Sequence, residues 1–233
     1  SLLMLSQRRA ARLGHVVETL TDMLFVGSDI ISTDEAQRLY LSLPFTSTPP
    51  KPEMLYSSLT MQPTLDTLYS ACTTVRQPVV LLIKSGEYTF GCYLSMPINL
   101  NGIWSGTPNS FMFSLTLDLK FPYHGQLAPG IDRHDPSHTY AFYCDLDHLL
   151  VGNGDLVINA DLASGSSELE GCYGVGMAQG SIESKRCLAG AHVFSIDALE
   201  VWTISWGDHV NNYRNNNNNN NIGLKRLEIE SDI

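Results

Sequence analysis

Cys187 follows Lys185 and Arg186, and that trio is the most direct route to chemistry in the chain. Neighbouring cations favour the thiolate, the form of cysteine that attacks peroxides and disulfides. Together with Cys172 it defines one candidate activity, that of an antioxidant thiol enzyme. The plainer reading, an inert loop cysteine, is the one we take. His134 and His138 stand four residues apart between Asp132 and Asp135. On a helix that spacing aims two imidazoles at one metal ion. Pro136 and the upstream Pro129-Gly130 make the segment a polar loop instead. Asp145, Asp147 and His148 read in the same way, as a turn at a strand end.

Nucleophile and phosphate motifs fare no better. Gly165-Ser166-Ser167-Glu168-Leu169 lacks the second glycine of the strained G-x-S-x-G turn of serine hydrolases. The run from Gly174 through Gly176 to Gly180 misses the dinucleotide fingerprint by one residue, and no G-K-[ST] phosphate loop occurs. Around Gly27 to Glu35, an EF-hand register that ends on Glu35 puts Leu24 and Val26 where calcium needs oxygen ligands. We therefore assign no catalytic residue, no cofactor and no metal.

Composition narrows the partners. The chain has 233 residues, 43% hydrophobic and 16% charged, which describes a globular protein with a substantial core. Its 14 basic and 24 acidic residues leave a net charge of -10. Phosphate backbones and anionic membranes are bound by clusters of Lys and Arg, which are missing here. The expectation is no nucleic acid, no direct membrane insertion, and docking on a basic patch of another protein. Five cysteines (Cys72, Cys92, Cys144, Cys172, Cys187) without a CxxC pair suit a reducing, cytoplasmic compartment. Ser1 to Leu5 lack the charged-then-apolar order of a secretory signal.

The elements that must position these residues follow from periodicity. Residues 1–43 read as a helical extension, with His15, Val16, Thr19, Leu20, Met23 and Leu24 on one stripe. A second helix starts near Ser32, where Ser32 and Glu35 have capping-box spacing. Residues 44–53 hold four prolines in ten positions and read as a linker. Thr64 to Cys72 predicts a short helix. Strands are predicted at 79–83, 88–96, 111–119, 140–146, 155–162 and 198–206. Val79 to Ile83 is apolar throughout, as in a strand buried on both faces; Gly152-Asn153-Gly154 reads as a tight turn. Residues 165–186 read as a long loop, Asn215 to Asn221 as a polyasparagine insertion, and Leu224, Leu227 and Ile229 as an amphipathic tail. Alternation over short runs predicts antiparallel sheets packed face to face, a mainly β fold of the α+β kind.

Ordered motifs then bring in a family. These are Leu55-Tyr56-Ser57, Leu65-Asp66-Thr67-Leu68-Tyr69, Phe90-Gly91-Cys92-Tyr93, Gly106-Thr107, Ser110 through Leu115, Asp161-Leu162 and Leu199-Glu200-Val201-Trp202. In this order and spacing, residues 54–206 resemble a TLDc domain, with 207–233 as the Asn-rich insertion and tail. Asn109 replaces the family's acidic residue, and an insertion spans roughly Glu168 to Arg186 before Cys187, the match to a family cysteine. The resemblance implies a two-sheet antiparallel β-sandwich with flanking short helices, and makes residues 1–43 an eroded EF-hand-like extension. It also implies a non-catalytic module linked to oxidative-stress protection. Its partner would be the peripheral (V1) subunits of the vacuolar proton-pumping ATPase (V-ATPase), at the cytosolic face of acidic organelles, with regulation of pump assembly or activity. Candidate contacts are the exposed loops and the tail from Leu224. The alternative is a structural component of a ciliary or cytoskeletal assembly.

Overall fold

A computed structural model describes residues 24–44, 49–125, 141–174, 177–178 and 180–206. Two antiparallel sheets pack face to face. The first has six strands: β1 (Lys51–Ser57), β2 (Val79–Ser85), β3 (Tyr88–Leu94), β4 (Phe111–Ser114), β5 (Leu119–Pro122) and β11 (Ala198–Ser205), in the order β1-β11-β2-β3-β4-β5. The second has five: β6 (Phe142–Cys144), β7 (His148–Val151), β8 (Leu156–Asn159), β9 (Ser164–Ser167) and β10 (Val193–Ser195), in the order β10-β9-β8-β7-β6. Helices α1 (Thr33–Ser42), α2 (Leu65–Cys72) and α3 (Ile182–Arg186) flank them.

Side-chain parity explains the layering. Val79, Leu81 and Ile83 of β2 and Phe90, Cys92 and Leu94 of β3 face inward, against Phe142, Cys144, Leu149, Val151, Leu156, Ile158 and Phe194 of the second sheet. Successive strand residues point to opposite faces, so Val80, Leu82 and Tyr93 face outward. They are buried too, under a second apolar cluster built with Leu24, Phe25, Ile30, Leu39, Tyr40 and Leu43. The first sheet is thus sealed on both sides, which accounts for the unbroken apolar run in β2.

Helix α1 opens as its spacing requires. The Ser32 hydroxyl accepts from the Glu35 amide at 3.4 Å, and the Glu35 carboxylate accepts from the Ser32 amide at 2.9 Å. The stripe from His15 to Met23 lies outside the described residues, whereas Leu24 is buried in the turn that precedes α1. Segment 24–44 is packed on the first sheet.

Three readings are corrected by the structure. The apolar run 111–119 is a hairpin: β4 stops at Ser114, Asp118 turns with φ +54°, and β5 returns with Ser114 opposite Leu119. Lys51 to Glu53, read as linker, already belong to β1, where Pro52 faces Ile204 on an edge strand. An edge position tolerates the missing amide. The loop 165–186 contains most of β9, the buried residues Leu169, Cys172 and Tyr173, and helix α3. Strand β9, Ser-Gly-Ser-Ser, shows no apolar alternation because its inward positions are the buried Ser167 and Gly165, where no side chain fits. A Cβ there would stand 2.5 Å from the Val157 carbonyl oxygen and 2.8 Å from the Phe194 ring. Gly152 and Gly154, with φ +65° and +91°, form the expected turn between β7 and β8.

Candidate functional site

The chemically suggestive side chains are largely absorbed into structure. The Cys187 sulfur donates to the Ser184 carbonyl, and burial pushes its thiol up to about 11. Lys185 pairs with Glu168 at 3.3 Å instead of serving the thiol. Desolvation thus opposes the alternative of cationic activation. Cys172 is fully buried, and burial also raises Cys72 and Cys144, each to about 12. Ser167 points into the core with 0% exposure, and His192 meets its carbonyl oxygen, not its hydroxyl. Asp145 accepts amide hydrogens from Asp147 at 2.9 Å and His148 at 2.7 Å, the geometry of a side-chain-capped turn. His134, His138, Asp132 and Asp135 lie outside the described residues. Among the described residues, no group of three or more His, Cys, Asp or Glu side chains is placed to hold a metal ion.

Two buried carboxylates organise loops. Asp155 accepts from the amides of Gly171 at 2.9 Å and Cys172 at 2.7 Å, which holds the long β9–α3 connection against the sandwich. Burial raises its pKa while the loop amides pull it back down. Glu200, 0% exposed, accepts from the Ser28 hydroxyl at 2.7 Å, the Asp29 amide at 2.8 Å and the Trp202 indole at 2.9 Å. Phe25 meets Trp202 edge-on with centroids 5.2 Å apart. The Leu199-Glu200-Val201-Trp202 motif thus fastens the segment before α1 onto the sheet. Its role was missed in the sequence, where Glu200 had no visible partner. Arg38 adds bonds to the Leu115 carbonyl at 3.1 Å and to Asp118 at 3.0 Å.

The motif Gly106-Thr107-Pro108-Asn109-Ser110 is a hydrogen-bond knot. Ser95 Oγ accepts from the Thr107 amide at 2.8 Å and lies 2.9 Å from Ser110 Oγ. Gly106 has φ +104°, and a Cβ there would stand 2.4 Å from that of Ala141. Asn109, in place of the family's acidic residue, is exposed at the rim of this knot.

What remains available is surface. A depression of about 520 Å³ beside β1 is lined by Val26, Lys51 to Leu55 and Trp202, with no thiol, hydroxyl or imidazole among them. The outer face of the five-stranded sheet differs more sharply from its counterpart. No described helix packs on it, and its outward residues include Tyr143, Leu150 and Val157, all half-buried, with Val193 66% exposed. Apolar residues at both parities of β7 and β8 are the sequence signal that marks this face. Solvated faces of antiparallel sheets ordinarily read polar. The arrangement suits contact with another macromolecule.

Comparison with known proteins identifies the family. Over 156 residues, 64% of this chain, it is 28% identical to nuclear receptor coactivator 7 of Gallus gallus and 27% identical to that of Mus musculus. The chain spans about 15% and 14% of the lengths of these relatives. The model of the TLDc domain matches residues 24–205, from the segment anchored by Glu200 to the end of β11. With that match across most of its length and the sandwich described above, the chain belongs to the TLDc domain family.

Proposed function

We propose that this TLDc module is non-catalytic and binds the peripheral (V1) sector of the vacuolar proton-pumping ATPase, regulating its assembly or activity as part of oxidative-stress protection. The observation that carries the reading is the TLDc match over residues 24–205. Supporting it, Cys172 and Cys187 are buried, burial raises the Cys187 thiol to about 11, Ser167 is enclosed, and the apolar surface left over belongs to a sheet face. Regulation by binding requires differential affinity: the module shifts the pump between states only by holding one more tightly. A net charge of -10 favours a basic patch on the partner, and the setting proposed with that partner is cytoplasmic, at the surface of acidic organelles. The test is co-migration of the purified full chain with the purified peripheral sector. A stable complex whose formation changes ATP hydrolysis or reassembly is expected. Failure to co-migrate at low salt, or recovery with axonemes instead, overturns it.

A further inference from the structure

We infer that the outer face of the five-stranded sheet, bare of helix among the described residues, seats a basic amphipathic helix of a partner protein. This rests on reading the chain as an interaction module, but not on which partner it serves. The register sets Tyr143, Leu150, Val157, Ser166 and Val193 in a single row across all five strands. Trp104, its ring centroid 5.3 Å from that of Tyr143, prolongs the row beyond β6. With strands about 4.8 Å apart, the row runs about 19 Å, the length of about 13 residues of α-helix.

A second row lies alongside. His148 faces Asn159, the Asn159 amide donates to Ser164 Oγ at 2.8 Å, and Ser164 faces Ser195. These side chains offer hydrogen bonds without fixed charge. Past them, the turns at the same end of the sheet carry Asp145, Asp147, Asp161 and Asp197, of which all but Asp145 are exposed, with the Asp197 carboxylate accepting from the Gly86 amide. Neither the β6–β7 turn nor the β8–β9 turn contains a Lys or Arg. The opposite end is mixed in charge: Lys185, paired with Glu168, the exposed His192 and Arg186, and the carboxylates Glu170 and Glu183.

The surface therefore grades from apolar through neutral polar to acidic, in one direction. An amphipathic helix lying across the strands, with leucine-type side chains on the first row and Lys or Arg along the flank toward the aspartates, presents the complementary gradient. A second copy of this chain, itself at -10, brings no surplus of cations. An anionic bilayer would meet four aspartates.

The test is shift mapping by NMR on the full chain. The probe is a synthetic leucine/lysine peptide of helical period, with its leucine/glutamate counterpart as control. Saturable shifts of the Leu150, Val157 and neighbouring β6–β10 amides are expected with the lysine peptide and none with the glutamate peptide. Leu150→Glu, an outward position, should weaken binding about tenfold or more. Leu150→Thr is the milder version if that variant folds poorly. Asp147→Asn combined with Asp161→Asn should weaken binding and flatten its salt dependence. Leu41→Glu, on the far side of the molecule, should change nothing. Shifts centred elsewhere, no saturable shifts, or undiminished affinity in the folded Leu150 variants would overturn the assignment. The same variants assayed against the pump sector separate the two claims. Pump binding that survives Leu150→Glu removes the face and keeps the pump, whereas a peptide seated on the face without co-migration does the converse.

Discussion

Truncating Glu200 to alanine removes the acceptor for three donors at once, one of them the enclosed Trp202 indole. A buried donor left without a partner costs ~1–3 kcal/mol, and Ser28 and Asp29 are near enough to solvent to recover part of the loss. Glu200→Ala should therefore lower unfolding free energy by about 3 kcal/mol in urea titrations. Limited proteolysis should then open segment 24–44 before the sandwich. The thiols give a second expectation. Burial raises Cys187 to about 11 and Cys72 and Cys144 to about 12, above their ordinary value of 9.0. The folded state then holds thiol protons more tightly than the unfolded chain. Their contribution is complete below pH 9 and is lost as pH rises toward the folded values, by up to ~1.4 kcal/mol per pH unit for each thiol. Denaturation midpoints should fall steadily from pH 9 to 11, and less so in a variant with serine at Cys72, Cys144 and Cys187. Ellman-type labelling of native protein at pH 7 should be slow and become rapid in urea. Substituting both Cys172 and Cys187 by serine should leave peroxide protection unchanged.

Elements differed in how far their sequences disclosed them. Strands β2, β3, β8 and β11 carry dense apolar patterns, so their positions followed from period alone. The β4–β5 hairpin did not, because its turn keeps the alternation going: Leu115 and Leu117, both in the turn, continue the parity of Phe113 up to Leu119 at the start of β5. Strand β9 was hidden for the opposite reason, its core-facing positions being Ser167 and a glycine forced by Val157 and Phe194. Gly165→Ala should cost about 2 kcal/mol, since the contact is with backbone that cannot yield easily. Helix α1 announced its first residue through the Ser32–Glu35 box, but nothing local revealed that it roofs a sheet. Leu39, 1% exposed, tests that role. Leu39→Ala should destabilise by about 3 kcal/mol, measured by chemical unfolding. The candidate surface was legible only in part: outward apolar residues on β7 and β8 are visible in sequence, while their alignment with Tyr143 and Val193 depends on register.

At the scale of the whole molecule, the two sheets have different outer faces. One is roofed by segment 24–44, and the other is bare of any described helix. That asymmetry gives the sandwich a closed side and a contact side. Among the described residues, the contact side ends in aspartates. Association with a basic partner should weaken several-fold when salt rises from roughly 50 to 300 mM, because exposed charges are screened over a shorter Debye length. Calorimetry at two ionic strengths measures this directly, and salt-independent affinity would argue that the apolar row alone provides the binding.

Strands β1 and β11 are hydrogen-bonded neighbours, with Lys51 opposite Ser205. The polypeptide enters and leaves the sandwich at one corner. Tension applied between the flanks of such a unit loads the Glu200 fastening first, then peels the first strand from the last rung by rung, like a zip and not like a sheared rope. Anchored between two moving bodies, the module would yield at modest force in an ordered sequence, shedding its roof before its sheets.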